Sequence, residues 1–191
     1  LTEGFRERGF LPEAFLNMLA VLGWNDGTEQ ELFSLEELVS TFTIQRVHKG
    51  GAKFDFEKAK WFNHEWIKRS SNERLLPDVN AAFQSAGIEV DDQRLLTVIG
   101  MVKERCILLP DFITQAPFFF VRPSTYDMDA LKGKWNEEKG KYFSELTVLL
   151  EQLPTWDAII LETTFKELAI VKSIKAGELL FLFRMMLVGG K

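Results

Sequence analysis

The stretch Gly9-Phe10-Leu11-Pro12-Glu13-Ala14-Phe15-Leu16-Asn17-Met18-Leu19-Ala20-Val21-Leu22-Gly23-Trp24 decides the reading of this chain. Leu11, Ala14, Phe15, Met18, Leu19 and Leu22 recur at steps of three, one, three, one and three, which places them on one face of an α-helix. Pro12 falls in the first turn, where its missing N–H costs nothing. Gly23 stands where a left-handed residue would end the helix. The stretch therefore predicts a bounded helix over 11–22 with one apolar side.

The pattern continues outward. Asn25-Asp26-Gly27-Thr28 is a turn by composition. Ser34 with Glu37 three residues on is a capping box, and Leu35, Leu38 and Phe42 are expected on the inner face of the helix it starts. His48-Lys49-Gly50-Gly51-Ala52 reads as a loop. Asp55 can cap a helix over 56–69, with Phe54 as a hydrophobic staple. On that helix Trp61, Phe62, Trp66 and Ile67 are expected to pack inward, base stacking being the alternative. Further helices are predicted at 73–86, 91–107, 111–115, 127–133, 136–152, 155–171 and 176–188. Gly87 should stop the first of these and Asp91 start the second, while Thr155 should cap the helix after Pro154. Pro117 and Pro123 bracket Phe118-Phe119-Phe120-Val121, which reads as a buried connector rather than a strand. Residues 1–8 read as the tail of a helix or loop, and the start at Leu1 reads as that of a fragment. The fold class is all-α.

Composition narrows the function. Of 191 residues, 46% are hydrophobic, enough for a packed core. No run of about eighteen apolar residues suits a membrane span, and no secretory leader is visible. The single cysteine, Cys106, forbids an internal disulfide and fits a reducing, cytoplasmic setting. The net charge of −5 is unevenly spread: residues 1–45 hold two basic and eight acidic side chains, whereas 46–74 hold eight basic and four acidic. Screening confines fields to about 10 Å, so a local basic patch on an acidic chain can still meet phosphates.

Catalytic and metal-binding signals are poor. His48, His64 and Cys106 match no zinc spacing. Cys106, followed by Ile107-Leu108-Leu109, reads as a small buried residue rather than half of a nucleophile pair. Asp91-Asp92 and Glu137-Glu138 are helical neighbours that point apart, and they suit helix starts rather than an acid–base dyad. No phosphate-binding glycine loop is present.

Residues 9–24 resemble the segment that follows the KMSKS-type loop in bacterial-type glutamyl-tRNA synthetases. A second block follows in order: Ser34-Leu35-Glu36-Glu37-Leu38, Phe42, then Gly51-Ala52-Lys53-Phe54-Asp55-Phe56-Glu57-Lys58-Ala59-Lys60-Trp61-Phe62-Asn63. It is similar to the family pattern S-G-A-x-F-D-x-x-K-L-x-W-x-N. A weaker echo of the family's last stretch lies at Lys175-Ala176-Gly177 and Arg184. The resemblance implies a helical stem-contact region over 1–70, which meets the inner corner of the tRNA, and a helical-bundle anticodon-binding domain over 71–191, the family's domain extending past the last residue. It implies glutamate-accepting tRNA as partner, neither DNA nor membrane, and a cytoplasmic, monomeric full-length enzyme. That enzyme would use ATP and Mg²⁺ to load glutamate on the tRNA 3′ end. The ATP and glutamate machinery lies outside this sequence: His48-Lys49-Gly50 is no HIGH motif and Lys172-Ser173-Ile174-Lys175 no KMSKS motif. Hence no cofactor, metal or catalytic residue is expected here.

On the same basis Arg46, Lys49, Lys53, Lys58, Lys68 and Arg69 are expected to touch the RNA backbone, and Arg184 to lie near anticodon bases. Arg184 follows Phe181-Leu182-Phe183, where the family has P-L-R, so the proline is missing. Another arginine that some members use on an anticodon base aligns with Leu96-Thr97, where none stands. The rival reading is a helical protein-interaction module, marked by an exposed apolar stripe on the 155–171 helix. A glutaminyl-specific relative fits less well, because those enzymes carry β-barrels where this chain reads as helices.

Overall fold

The computed structural model describes residues 4–190. Among them are ten α-helices and no strand, apart from one isolated antiparallel bridge between Trp24 and Val47. The chain divides into two compact units, residues 1–120 and 121–191.

The first unit contains α1 (Pro12–Val21), α2 (Leu35–Thr41), α3 (Phe56–Arg69), α4 (Asn72–Ser85), α5 (Asp92–Val102) and α6 (Asp111–Gln115). Local chemistry sets most boundaries. Ser34 and Glu37 form the reciprocal capping box of α2. The Asp55 carboxylate accepts from the Glu57 and Lys58 amides to start α3, and Asp91 accepts from Arg94 to start α5. Gly87 ends α4 in the left-handed region at φ +73°. Phe54 packs into the cluster that holds Ala59, one turn into α3. The main core joins Leu11, the residue before α1, and Ala14 of α1 with Ile67 of α3, Leu75, Val79 and Phe83 of α4, and Leu95, Val98, Ile99 and Val102 of α5.

Two buried asparagines tie this unit together. Asn63 on α3 accepts from the Leu11 amide at 2.7 Å and donates to the Ile107 carbonyl at 2.5 Å and, more weakly, to the Gly9 carbonyl at 3.4 Å. Asn17 on α1 accepts from the Phe33 amide and the Trp66 indole and donates to the Glu31 carbonyl. Each satisfies an amide of a buried residue, Leu11 or Phe33, that would otherwise lack a partner.

Several expectations need correcting. Gly23 is not left-handed: α1 ends through Leu22, and the chain bends at Gly23 toward the Trp24–Val47 bridge. Leu19 of the expected inner face is exposed, as are Leu35 of α2 and Phe42 just after it; in α2 only Leu38 is buried. The expected helix over 91–107 breaks after Val102 into a short 3₁₀ turn. The chain then turns back so that the Leu109 amide reaches the Gly9 carbonyl at 3.0 Å. Pro117–Phe119 is a 3₁₀ turn, and its aromatics are half-buried. Residues 4–8 form a turn; the rest of the expectation for residues 1–8 lies outside the described residues.

The second unit contains α7 (Met128–Leu131), α8 (Glu137–Glu151), α9 (Ala158–Val171) and α10 (Ala176–Val188). Helices α8, α9 and α10 share a core of Tyr142, Phe143, Leu146, Phe165, Leu168, Ala169, Leu179 and Leu182. The Tyr142 hydroxyl donates to the Phe165 carbonyl at 2.7 Å. Asp157, not Thr155, caps α9: its carboxylate reaches the Ile160 amide, so the helix starts three residues later than expected.

Candidate nucleic-acid interface

Six of the seven basic residues singled out above lie on two supports in the first unit. Arg46, Lys49 and Lys53 belong to the exposed connection between α2 and α3. Arg46 closes a 3₁₀ turn over Ile44–Arg46, and its guanidinium lies against Gly27. The His48 amide donates to the Gly23 carbonyl at 2.8 Å, and its ring meets the Asn25 amide at 3.1 Å. Thus the connection is pinned near its middle while its cations face water. No carboxylate among the described residues forms an ion pair with Arg46, Lys49 or Lys53.

Lys58, Lys68 and Arg69 lie on α3. Lys58, Trp61, Glu65 and Lys68 follow steps of three and four, so they share a stripe. That stripe is opposite buried Ala59, Phe62, Asn63 and Ile67. Trp61, expected inside, stands on the outer face at 40% exposure, while Trp66 is half-buried. The cations of this stripe are not bare. Lys58 is paired with Glu31, and Lys68 with Glu65 at 3.0 Å. Arg69 is exposed, with its guanidinium 5.4 Å from the Trp66 ring centre. Such partly exposed pairs are worth at most about 1 kcal/mol, so an arriving phosphate can exchange with the carboxylate. Arg74, in the same basic segment, is engaged elsewhere: it bridges Glu13 of α1 and Asp78 of α4, each at 2.5 Å. Its hydrogen bond to Asp78, ahead of that to Glu13, holds its pKa above the ordinary value.

Arg184 is exposed on α10 of the second unit, one turn beyond Phe181. Sequence reasoning missed Lys134, whose ammonium sits 3.7 Å from the Phe181 ring centre. Nothing in local periodicity signals that contact, which joins the α7–α8 loop to α10.

The structure does bring His64 and Cys106 together, but not as a nucleophile and base. The His64 Nδ1 meets the Cys106 carbonyl at 2.8 Å, while the Sγ donates to the Val102 carbonyl. Burial, aided by the nearby Asp111 carboxylate, pushes the thiol up to about 12. A thiol held neutral in this way is inert. Among the described residues no group of three or more His, Cys, Asp or Glu could hold a metal ion. No described helix is long and apolar enough to cross a membrane.

The described residues thus form an all-helical array with exposed cations beside the outward-facing Trp61. The chain belongs to the anticodon-binding-domain family, whose model matches residues 57–191. The model of the class I (E and Q) tRNA synthetase catalytic domain matches residues 1–61, through α1 and α2 into α3. The glutamate–tRNA ligase of Flavobacterium johnsoniae is 41% identical over 99% of this chain and 38% of its own length. That of Phocaeicola vulgatus is likewise 41% identical, over 99% and 37%. The crystal structure of a glutamate tRNA ligase from Elizabethkingia meningosepticum superposes with a TM-score of 0.88 at 37% identity, over 99% of this chain and 38% of that one. The chain therefore spans less than two fifths of the length of the relatives it matches.

Proposed function

We propose that this chain is the tRNA-binding part of a glutamate–tRNA ligase, with residues 1–70 meeting the inner corner of the tRNA and residues 71–191 gripping the anticodon loop. The observation that carries this is the match to the anticodon-binding-domain family over α3 to α10, continuous with similarity to glutamate–tRNA ligases along 99% of the chain. Arg46, Lys49, Lys53 and Arg69 are the primary backbone contacts. Lys58 and Lys68 exchange their carboxylate partners for phosphates, and Arg184 lies near the anticodon bases. These cations position the RNA, and base contacts supply the reading.

In the whole enzyme, a monomer working in the cytoplasm on tRNA and not on DNA, ATP and Mg²⁺ would drive glutamate activation and loading on the 3′ end. The residues present here do not fit those groups: the sequence lacks the nucleotide-binding motifs, and the described residues hold no metal cluster. This chain alone is expected to bind tRNA without ligating.

A protein-interaction role has less support. Ile159, Ile170 and Val171 of α9 are exposed, but Glu162 and Lys166, an ion pair at 2.5 Å, interrupt the face between Ile159 and Ile170. The apolar stripe that such a role requires is broken.

Salt titration tests the proposal. Six phosphate contacts give a slope of about −4 in log affinity against log salt, or about 250-fold weaker binding between 50 and 200 mM. Replacing Arg46, Lys49 and Lys53 together by Ala should remove about half of that slope. A wild-type chain whose tRNA affinity does not change with salt refutes the reading.

A further inference from the structure

Trp135, in the loop between α7 and α8, is 48% exposed yet held in place. Its indole lies parallel to the Phe143 ring, centres 5.9 Å apart and planes 9° from coplanar. Phe143 in turn lies parallel to Phe183, at 6.2 Å and 11°. The three rings form an offset column with the indole at its open end.

A helix-start staple does not account for this tryptophan. Asn136 caps α8, so Trp135 occupies the staple position, whose partner would be the fourth helical residue. That residue is Gly140, which offers no side chain; a Cβ there would sit 3.4 Å from the indole. The indole instead forms one wall of an open depression of about 690 Å³, whose other walls include Ser144, Thr147 and Met186. The depression's carboxylates, Glu137 and Glu145, are paired with Lys141 and Lys172.

The loop is also cationic and braced. Lys132 and Lys134 flank Gly133, whose φ of +74° turns the chain sharply between them. Lys134 is fixed over Phe181, and its carbonyl accepts from Lys139, which pairs with Glu178. Ordering such a loop on binding costs little, because it is already held.

We propose that the loop Lys132–Asn136 is a single-stranded-RNA contact, with Trp135 stacking one unpaired base and Lys132 and Lys134 receiving the neighbouring phosphates. This rests on the tRNA-binding reading above and extends it to residues which that reading did not include. An aromatic platform beside cations is the arrangement that suits splayed bases.

The test uses the full chain and an in vitro transcribed tRNA with a glutamate anticodon, with helicity and melting temperature recorded for each variant. Trp135→Leu should weaken binding between about fivefold and a hundredfold with the salt slope unchanged, and Trp135→Phe should restore most of the loss. Lys132→Ala with Lys134→Ala should instead flatten the salt slope by about 1.5. If the wild type binds and Trp135→Leu binds equally well, the loop contact is refuted and the tRNA-binding reading stands. If the wild type binds no tRNA, both fall. Should Trp135→Leu fail to fold, Trp135→Phe and the lysine pair decide: an unchanged salt slope in the lysine pair overturns the proposal.

Discussion

Replacing Asn63 by Ala should cost this protein about 3 kcal/mol, although no charge and no large apolar side chain is lost. Asn63 is fully buried and serves three backbone groups. The change orphans the Leu11 amide, which belongs to a residue only 1% exposed. A buried donor without a partner costs about 1–3 kcal/mol. The Ile107 carbonyl loses its 2.5 Å donor, but Ile107 is 42% exposed, so water offsets part of that loss. The Gly9 carbonyl keeps its bond from Leu109 and adds little. The small void left behind brings the total to about 3 kcal/mol. In urea, with a slope of about 2 kcal/mol per molar, the midpoint of the first unit should fall by about 1.5 M. Hydrogen exchange at the Leu11 amide should quicken in step. Asn63→Asp should be worse than Ala at neutral pH, since it buries a charge facing the Ile107 carbonyl. That carboxyl's folded pKa would be raised, so its penalty applies above the unfolded value of about 3.9 and eases as pH falls through the folded one. A midpoint shift below about 0.25 M for Asn63→Ala would refute the idea that this side chain clamps α1 to the 107–109 segment.

Four other substitutions probe separate links. Ser34→Ala breaks the α2 capping box and should cost about 1 kcal/mol by thermal melting, whereas Gly23→Ala, which meets nothing within 4 Å, should be near neutral. Gly9→Ala should cost more than either, because φ is +86° and the new Cβ would lie 2.4 Å from the Pro110 Cδ; recovery of soluble protein with an unchanged melting temperature would count against this. Cys106 should resist alkylation at pH 8 until the protein unfolds. With its folded pKa near 12 against an ordinary value of 9.0, the stability tied to the neutral thiol is fully present below pH 9 and lost as pH climbs from 9 toward 12. Cys106→Ala should flatten that part of a urea-midpoint profile, and an identical profile in the variant would contradict the assignment.

What the sequence made legible was local. Ser34 with Glu37, Asp55, Gly87 and Asp91 each act within one turn of themselves, and each does in the structure what its residue type predicts. Residues 111–115 and 176–188 are helical over the expected spans. Thr155 failed as a cap because Asp157 competes two residues on, and either residue type can accept a helical N–H. Burial was less legible, because periodicity locates an apolar face but not how much of it a neighbour covers. Leu19, Leu35, Phe42 and Trp61 sit at the edges of such faces and stay exposed. Asn17 and Asn63 were invisible for the opposite reason: their partners lie 14 to 54 positions away. Among the candidate contacts, sequence supplied the cations, but only the fold showed which of them carboxylates already hold.

The pinned connection between α2 and α3 has a consequence for handling the protein. Residues 43–53 are exposed throughout, and the holds on Val47 and His48 leave Lys49 and Lys53 on the downstream side with no helical backbone around them. Trypsin should nick the native chain there first, while α1 packed on α3 keeps the two pieces together. The same peptide bonds would be shielded wherever RNA lies across the cations, so a cleavage footprint reports occupancy directly.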